Sequence, residues 1–153
     1  MMRLNHRNYQ TEEDFWCIRK FLSDVFMAND RRMYCWPVMR WDYWRWHGIM
    51  NLGDGNLERD VHLWETDNQQ IAAVLNPEGL GQMFLQIHPA FKSPDLEEEI
   101  ITLAEAYPRC PSLKGGDYIW IWVDAEDHQR HAILERHGFA PIHQATEHQW
   151  RRS

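Results

Sequence analysis

Few side chains in this sequence have the type and spacing that acid–base or nucleophilic chemistry needs. His88 follows the apolar segment Leu85-Gln86-Ile87, and an imidazole at a strand end could take a proton from an amine, because its ordinary pKa lies near neutrality. Cys110 lies between Arg109 and Pro111 with no adjacent histidine, so a nucleophilic thiol is not expected there. The sequence therefore offers His88 as a weak candidate for a catalytic base.

Three potential metal ligands share one face of a predicted helix. His128, His131 and Glu135 follow the spacing i, i+3 and i+7. Nothing supplies the matched second pair of ligands that an H-E-x-x-H motif provides. A solvated helix face is therefore the favoured interpretation, and no metal is expected.

Aromatic residues cluster in one short segment of a chain that contains nine tryptophans. Trp41, Tyr43, Trp44, Trp46 and His47 surround a predicted helix, so they cannot all face one core. One interpretation places Trp41 and Trp44 in the core, and another has at least one of the five lining a pocket or a partner surface.

Trp120 and Trp122 lie two residues apart and share one face of a predicted strand. Core packing under a helix is the favoured interpretation. The functional alternative has Trp122 bordering a cleft.

Composition restricts the function classes. The 153 residues predict one domain over 1–153, and the net charge of −7, concentrated in the middle third, disfavours nucleic acid and anionic membranes as partners. No apolar run could span a bilayer, and the first residues contain no secretion signal. Cys17, Cys35 and Cys110 form no C-x-x-C pair, which favours a reducing cytoplasm.

Helix signals and alternating apolar patterns define the elements that must position these residues. Thr11 followed by three acids begins a helix, and Ser93-Pro94-Asp95 begins another, because Ser caps a helix and Pro fits its first turn. Gly138 follows the last helix in the usual terminating position. The predicted helices are 12–28, 36–50, 93–107 and 127–137.

The predicted strands alternate or are continuously apolar. Residues 51–56 and 76–79 are predicted as a loop and a turn, and 118–123, apolar on both faces, as an interior strand. The predicted strands are 3–9, 61–66, 70–75, 82–88, 118–123 and a last strand or hairpin containing Trp150. The order β-α-α-β-β-β-α-β-α-β predicts an α+β (mixed α/β) class with a mostly antiparallel mixed sheet.

This order and three local segments resemble the GCN5-related N-acetyltransferase (GNAT) family. Leu85-Gln86-Ile87-His88-Pro89 resembles the end of the family's fourth strand, Ser93–Tyr107 the helix after it, and Ala132–Phe139 the A-x-x-L-Y-E-x-x-G-F ending of the last helix. The Trp-rich segment Trp41–His47 also resembles members built from two fused copies of the fold.

The resemblance implies a V-shaped opening between Gln82–His88 and Tyr118–Asp124 that holds the pantetheine arm of acetyl-CoA. The acyl group would meet a small amine there, and Trp41, Trp44, His47 and Trp122 would line the substrate pocket. The implied cofactor-binding residues are Ile87, His88, Lys92, Ser93, Asp95, Leu96 and Glu97.

The family binds pyrophosphate on a Q/R-x-x-G-x-G/A turn, and this chain departs from that pattern. Lys92 stands for the first basic residue, but Asp95 and Glu97 replace the two glycines and Pro94 carries no N–H. Carboxylates on this turn are expected to repel a phosphate, and the side chain of Ser93 can satisfy a backbone N–H itself.

The last helix departs from the family as well. Leu134 stands where the family often has the Tyr that protonates the leaving thiolate, and Asp127 where it often has Asn. Two functions therefore stay open. One is an acyl-CoA-dependent N-acetyltransferase that uses direct attack of a small amine. The other is a non-catalytic copy of the fold that serves as a structural or ligand-binding half of a two-domain or dimeric acetyltransferase.

Overall fold

The computed structural model describes residues 3–51, 55–111 and 115–142. The strands are β1 (Asn5–Asn8), β2 (His62–Glu65), β3 (Ile71–Gly79), β4 (Gln82–Ile87), β5 (Cys110–Pro111), β6 (Asp117–Tyr118) and β7 (Trp120–Ile121). The helices are α1 (Glu12–Ala28), α2 (Val38–Tyr43), α3 (Leu57–Asp60), α4 (Pro94–Glu105) and α5 (His128–Arg136). A π-helical turn (Trp44–Gly48) and a 3-10 turn (Ile49–Asn51) extend α2, and a second 3-10 turn covers Pro89–Phe91.

The central sheet has the strand order β1-β2-β3-β4-β7. The first four strands pair antiparallel, and β7 pairs parallel to β4. β5 and β6 form a separate two-stranded ladder. The predicted α+β class with a mostly antiparallel mixed sheet is therefore confirmed. Within the described ranges, no helix has the length and apolar character that crossing a bilayer requires.

Two apolar clusters cover the two faces of this sheet. Alternate residues of a strand face opposite sides, and accordingly Val74 packs into one cluster while Ala73 and Leu75 pack into the other. The first cluster contains residues of α1 and of the extended α2, and the second contains residues of α4 and α5. The side of β4 that faces away from β3 therefore lies between the layer of α1 and α2 and the layer of α4 and α5.

The structure does not form a strand over the whole of the predicted range 118–123. Only Trp120 and Ile121 belong to β7, and among the described residues β7 pairs with β4 alone. Trp120 is 42% exposed and Trp122 45% exposed, so the core interpretation of these two tryptophans is also wrong.

The predicted turn at 76–79 is also displaced. β3 continues to Gly79 across a bulge, because these residues keep pairing with β4, and the chain reverses at Leu80 and Gly81 instead. Gly81 has a φ of +72°, and a Cβ there would lie 2.6 Å from the backbone N of Cys110. α3 was not predicted, and the predicted strand with Trp150 lies outside the described residues.

Candidate functional site

β4 and β7 pair over only two residues before they separate. The register ends at Met83 opposite Ile121, and the N–H of Trp122 donates to the carbonyl of Met83 at 3.4 Å. Alternate residues of a paired strand direct their backbone groups to the same edge. The backbone groups of Leu85 and Ile87 therefore face a gap in which no described strand pairs with β4.

A cavity of about 770 Å3 occupies this gap. One wall is formed by residues 84–87 of β4, and the opposite wall by residues 122–130, which lead into α5. The α1–α2 connection closes a third side. The cavity thus lies where the resemblance places the opening for the pantetheine arm.

Aromatic rings form the apolar part of the cavity wall, and one guanidinium lies over two of these rings. The rings of Phe84 and Trp122 stack with centroids 5.9 Å apart and an interplanar angle of 9°. The guanidinium of Arg40 lies 4.8 Å from the ring centroids of both Trp36 and Phe84. A salt bridge of 2.6 Å to Glu78 holds Arg40 in this position. Trp122 thus reaches the cavity through an exposed stack rather than through the core.

A buried amide fixes the loop that closes the cavity. Gln86 accepts a hydrogen bond from the backbone N–H of Trp36 at 2.8 Å and donates to Asn76 at 3.3 Å. Both amide ends of Gln86 are therefore used within the protein, which explains why a polar side chain can be buried in an apolar strand.

The thiol of Cys35 contacts the β4 backbone at the cavity. Its Sγ lies 3.8 Å from the carbonyl oxygen of Ile87. Burial raises the pKa of Cys35 to about 11, so the sulfur keeps its proton and acts as a weak donor. The thiol of Cys35 is thus a weak donor to the carbonyl of Ile87, a residue that the resemblance assigns to pantetheine binding.

The first turn of α4 satisfies most of its backbone donors internally. The N–H of Leu96 donates to Ser93 Oγ at 3.3 Å, and the N–H of Glu97 donates to the carbonyl of Ser93 at 3.1 Å. Pro94 has no N–H. The bond from Leu96 confirms the prediction that Ser93 caps the helix. Within this first turn, the N–H of Asp95 is the one left for an anion.

Glu97 points into the protein rather than toward the position expected for a phosphate. Its side chain has 0% exposure and pairs with Arg130 of α5 at 2.8 Å. Gln129 also donates to the carboxylate of Glu97. The prediction that Glu97 repels a phosphate is therefore wrong, because this carboxylate points inward and is compensated by a buried guanidinium.

Asp127 connects the first turn of α5 to the residue before α4. It caps α5 by accepting the N–H of Arg130 at 3.2 Å, and Lys92 Nζ lies 2.6 Å from its other oxygen. Burial alone would raise the pKa of Asp127, but the hydrogen bond from Lys92 and the charge of Arg130 outweigh it and hold the pKa below its ordinary value. Lys92 therefore already has a carboxylate partner.

The structure brings some of the predicted site residues to the cavity and leaves others elsewhere. Those that line it are Ile87, Lys92 and Trp122. Trp41 and Trp44 are buried in the core, and His47 lies exposed on the helix surface. The side chain of His88 accepts the N–H of Ala90 at 3.1 Å and is not among the lining residues. Ser93, Asp95, Leu96 and Glu97 also lie outside the lining.

Sequence reasoning missed several lining residues: Cys35, Trp36, Arg40, Gln86 and Arg130. A single amide within the apolar strand was a detectable signal for Gln86. The others come from a loop and from a charged helix turn, where no local pattern distinguishes a cavity wall from a solvated surface. Among the described residues, no group of three or more His, Cys, Asp or Glu is placed to hold a metal ion.

Neither a family model nor a curated protein matches this chain. A crystal structure of a GCN5-related N-acetyltransferase from Sphaerobacter thermophilus matches it with a TM-score of 0.63 and 13% sequence identity. The chain has a GNAT fold. The match covers 91% of this chain and 44% of that structure, so the chain spans less than half of the protein that it resembles. In this GNAT fold, β4 and β7 are the parallel pair that separates to form the cavity.

Proposed function

We propose that this chain is a GNAT-fold domain without acetyl-CoA-dependent catalysis of its own, serving as a ligand-binding or structural half of a two-domain or dimeric N-acetyltransferase. The observation that carries this proposal is the first turn of α4, where Ser93 accepts the N–H groups of Leu96 and Glu97 and Pro94 has no N–H. The match to less than half of an N-acetyltransferase structure also supports a domain that works beside a second one.

A diphosphate site at a helix N-terminus needs several free backbone N–H groups and room for the phosphate to approach them. Here Ser93 accepts one N–H of the turn and Pro94 has none, so the N–H of Asp95 is the donor that remains. The exposed carboxylate of Asp95 carries the same sign of charge as the ligand. The carboxylate of Asp127 already compensates the charge of Lys92, which reduces what Lys92 could contribute to binding a phosphate. Each of these features weakens binding of the nucleotide end of acetyl-CoA.

The position of the family's general acid supports the same proposal. Leu134, which stands where the family often has Tyr, is buried among the apolar residues of α4 and α5. A leucine carries no proton to give to a leaving thiolate, and loss of a general acid costs about 10²–10⁴-fold in rate.

The cavity itself favours a second candidate, an acyl-CoA-dependent N-acetyltransferase that acts on a small amine. Its volume of about 770 Å3 lies within the range of small-molecule sites, and the backbone of Leu85 faces it. In this candidate Ile87 would bind the pantetheine arm after Cys35 withdraws, and Lys92 would offset phosphate charge. For either candidate we propose a reducing cytoplasm, since the chain keeps three free thiols.

Calorimetric titration with two ligands tests the proposal. Acetyl-CoA and acetyl-pantetheine share the acyl arm, and only acetyl-CoA carries the nucleotide diphosphate. We expect acetyl-CoA to bind no more tightly than acetyl-pantetheine, because the α4 turn adds nothing to affinity. Acetyl-CoA that binds at least about tenfold more tightly would refute the proposal and favour the transferase.

A rebuilt turn provides the matched control. A variant that combines Pro94→Gly, Asp95→Gly, Glu97→Gly and Arg130→Met restores the glycines without leaving a buried unpaired guanidinium. We expect it to gain affinity for acetyl-CoA and to keep the wild-type affinity for acetyl-pantetheine. A comparison variant that carries only Glu97→Leu and Arg130→Met should show no such gain. Equal affinities in both variants would mean that the turn is not the cause.

A further inference from the structure

The outer face of α1 and of the extended α2 exposes an unusual number of large apolar side chains. Trp16 is 55% exposed and Trp46 is 51% exposed, and both indoles meet the ring of Phe15 edge-on, with centroids 5.0 and 5.8 Å away. They therefore belong to one surface. We call this surface the aromatic face, defined by Trp16, Met39, Tyr43, Trp46 and Met50, all exposed.

The extended α2 is apolar on two opposite sides. Trp41 and Trp44 fill the core, while the outer stripe of Met39, Tyr43 and Trp46 repeats at helical spacing toward the solvent. A wide apolar stripe on a helix is usually covered, and here one stripe is covered by the core while the other faces the solvent. Methionine and tryptophan side chains are also frequent at binding surfaces.

Charges are arranged with opposite signs on the two sides of Trp16 along α1. Glu12 and Glu13 precede Trp16 by four and three residues, and Arg19 and Lys20 follow it by three and four. Residues at these spacings share one face of a helix. The exposed face of α1 is therefore acidic before Trp16 and basic after it.

We propose that the aromatic face binds the same face of a second copy of this chain, with the two α1 helices antiparallel and crossing at Trp16. A two-fold interface requires a self-complementary surface, in which residue i meets residue j of the partner and j meets i. Rotation about Trp16 brings Glu12 opposite Lys20 and Glu13 opposite Arg19, twice in each dimer. The charge pattern of α1 meets that requirement.

The ion pairs that these side chains form within one chain are weak enough to be replaced by contacts across the dimer. Lys20 pairs with Asp24 at a largely exposed site, and Arg19 pairs with Asp42 at a partly exposed one, so the first pair contributes little and the second modestly. In the part of the chain that the structure describes, Glu12 and Glu13 form no ion pair. The dimer would give both carboxylates a partner.

The area of the aromatic face is adequate for such an interface. Trp16, Tyr43 and Trp46, each about half exposed, together offer on the order of 300 Å2. Met39 and Met50 and the stems of the flanking charged side chains bring the total toward the ~800 Å2 per partner of a standard interface.

The aromatic face is the surface on which a dimeric acetyltransferase would assemble, so this inference deepens the proposed function. Its role in an acetyltransferase rests on that proposal, whereas the dimer itself is argued from the exposed residues alone. Oligomeric state and acetyl-CoA binding are separate measurements. Failure of the dimer leaves the ligand titrations unchanged, and a tight acetyl-CoA complex leaves the dimer unchanged.

Sedimentation equilibrium across the micromolar range, with charge-reversal variants, tests the interface. The wild type should dimerise, while Glu12→Lys and Lys20→Glu should each weaken the homodimer about tenfold or more, because each creates two like-charge contacts. An equimolar mixture of the two variants should recover the wild-type affinity, since both reversed contacts are then complementary. Asp117→Lys, an exposed reversal on β6, should change nothing.

Trp16→Ala tests the apolar centre of the same interface and should weaken the dimer about thirtyfold. Near-ultraviolet circular dichroism checks that each variant keeps its tertiary packing. A wild type that stays monomeric throughout would overturn the proposal. So would a dimer that survives both charge reversals, or two weakened variants that fail to associate when mixed.

Discussion

Replacement of Arg130 by methionine should destabilise this protein more than its position in a charged helix turn suggests. The guanidinium of Arg130 lies 2.8 Å from the carboxylate of Glu97, which has no exposed surface. Methionine fills similar space but carries no charge, so Glu97 would keep only its contact with Gln129.

The magnitude follows from the burial of that carboxylate. Loss of one partner of a buried pair costs about 3–5 kcal/mol, because the remaining charge is desolvated without compensation. A domain of this size is stable by only about 5–15 kcal/mol. Arg130→Met should therefore remove about a fifth or more of the free energy of unfolding.

Urea unfolding followed by tryptophan fluorescence and circular dichroism would measure this loss. Two controls separate burial from charge alone. The double variant with Glu97→Leu and Arg130→Met should be more stable than Arg130→Met, because no unpaired charge remains. Lys20→Met, which breaks the exposed pair with Asp24, should cost less than about 1 kcal/mol.

If Arg130→Met cost no more than Lys20→Met, burial of an unpaired charge would not be the cause of the loss. A double variant less stable than Arg130→Met would contradict the same cause, because the unpaired carboxylate of Glu97 would then carry no cost relative to leucine. An unchanged m value is required in each case, because the comparison assumes the same change in exposed surface.

Three further predictions concern titration, backbone strain and thiol reactivity. Two carboxylates of α4, Glu98 and Glu105, accept hydrogen bonds from the imidazole of His137 and raise its pKa above 6.5. The contribution of His137 to stability is therefore complete below that pH and is lost as the pH rises through the raised pKa. The difference in unfolding free energy between the wild type and His137→Gln should shrink over that range, and a pH-independent difference would contradict this. Gly81→Ala should lower the unfolding free energy by about 2 kcal/mol or more, because the added Cβ meets backbone at a positive φ, whereas Gly79→Ala should cost clearly less. Iodoacetamide at neutral pH should modify Cys17 well before Cys35, as mass spectrometry of the peptides would record, since burial keeps Cys35 protonated; equal rates would contradict this.

Local hydrogen-bond signals explain which helices could be predicted from the sequence. The bounds predicted for α1 match the structure because Thr11 and the acids after it cap the helix, and α4 begins as predicted because Ser93 caps it. Both caps use contacts within four residues. The order of strands and the place of the gap beside β4 followed from the same kind of local pattern together with the resemblance.

Contacts between distant segments explain what the sequence did not reveal. An apolar run such as 118–123 looks the same whether its side chains are buried or exposed, because the difference depends on which elements pack over it. The turn signal of Asn76-Pro77 was overridden by pairing with β4. Glu97 could not be recognised as buried, since its partner Arg130 lies 33 residues away on another helix.

The pairing of Glu97 with Arg130 also couples two positions that lie on different helices. Glycine at position 97 would leave the buried guanidinium of Arg130 with only the more distant carboxylate of Asp127, 3.7 Å away. Loss of Arg130 alone would leave the carboxylate of Glu97 as the uncompensated charge. Each single change therefore destabilises the domain, and a glycine turn is compatible with this packing only when both residues change together.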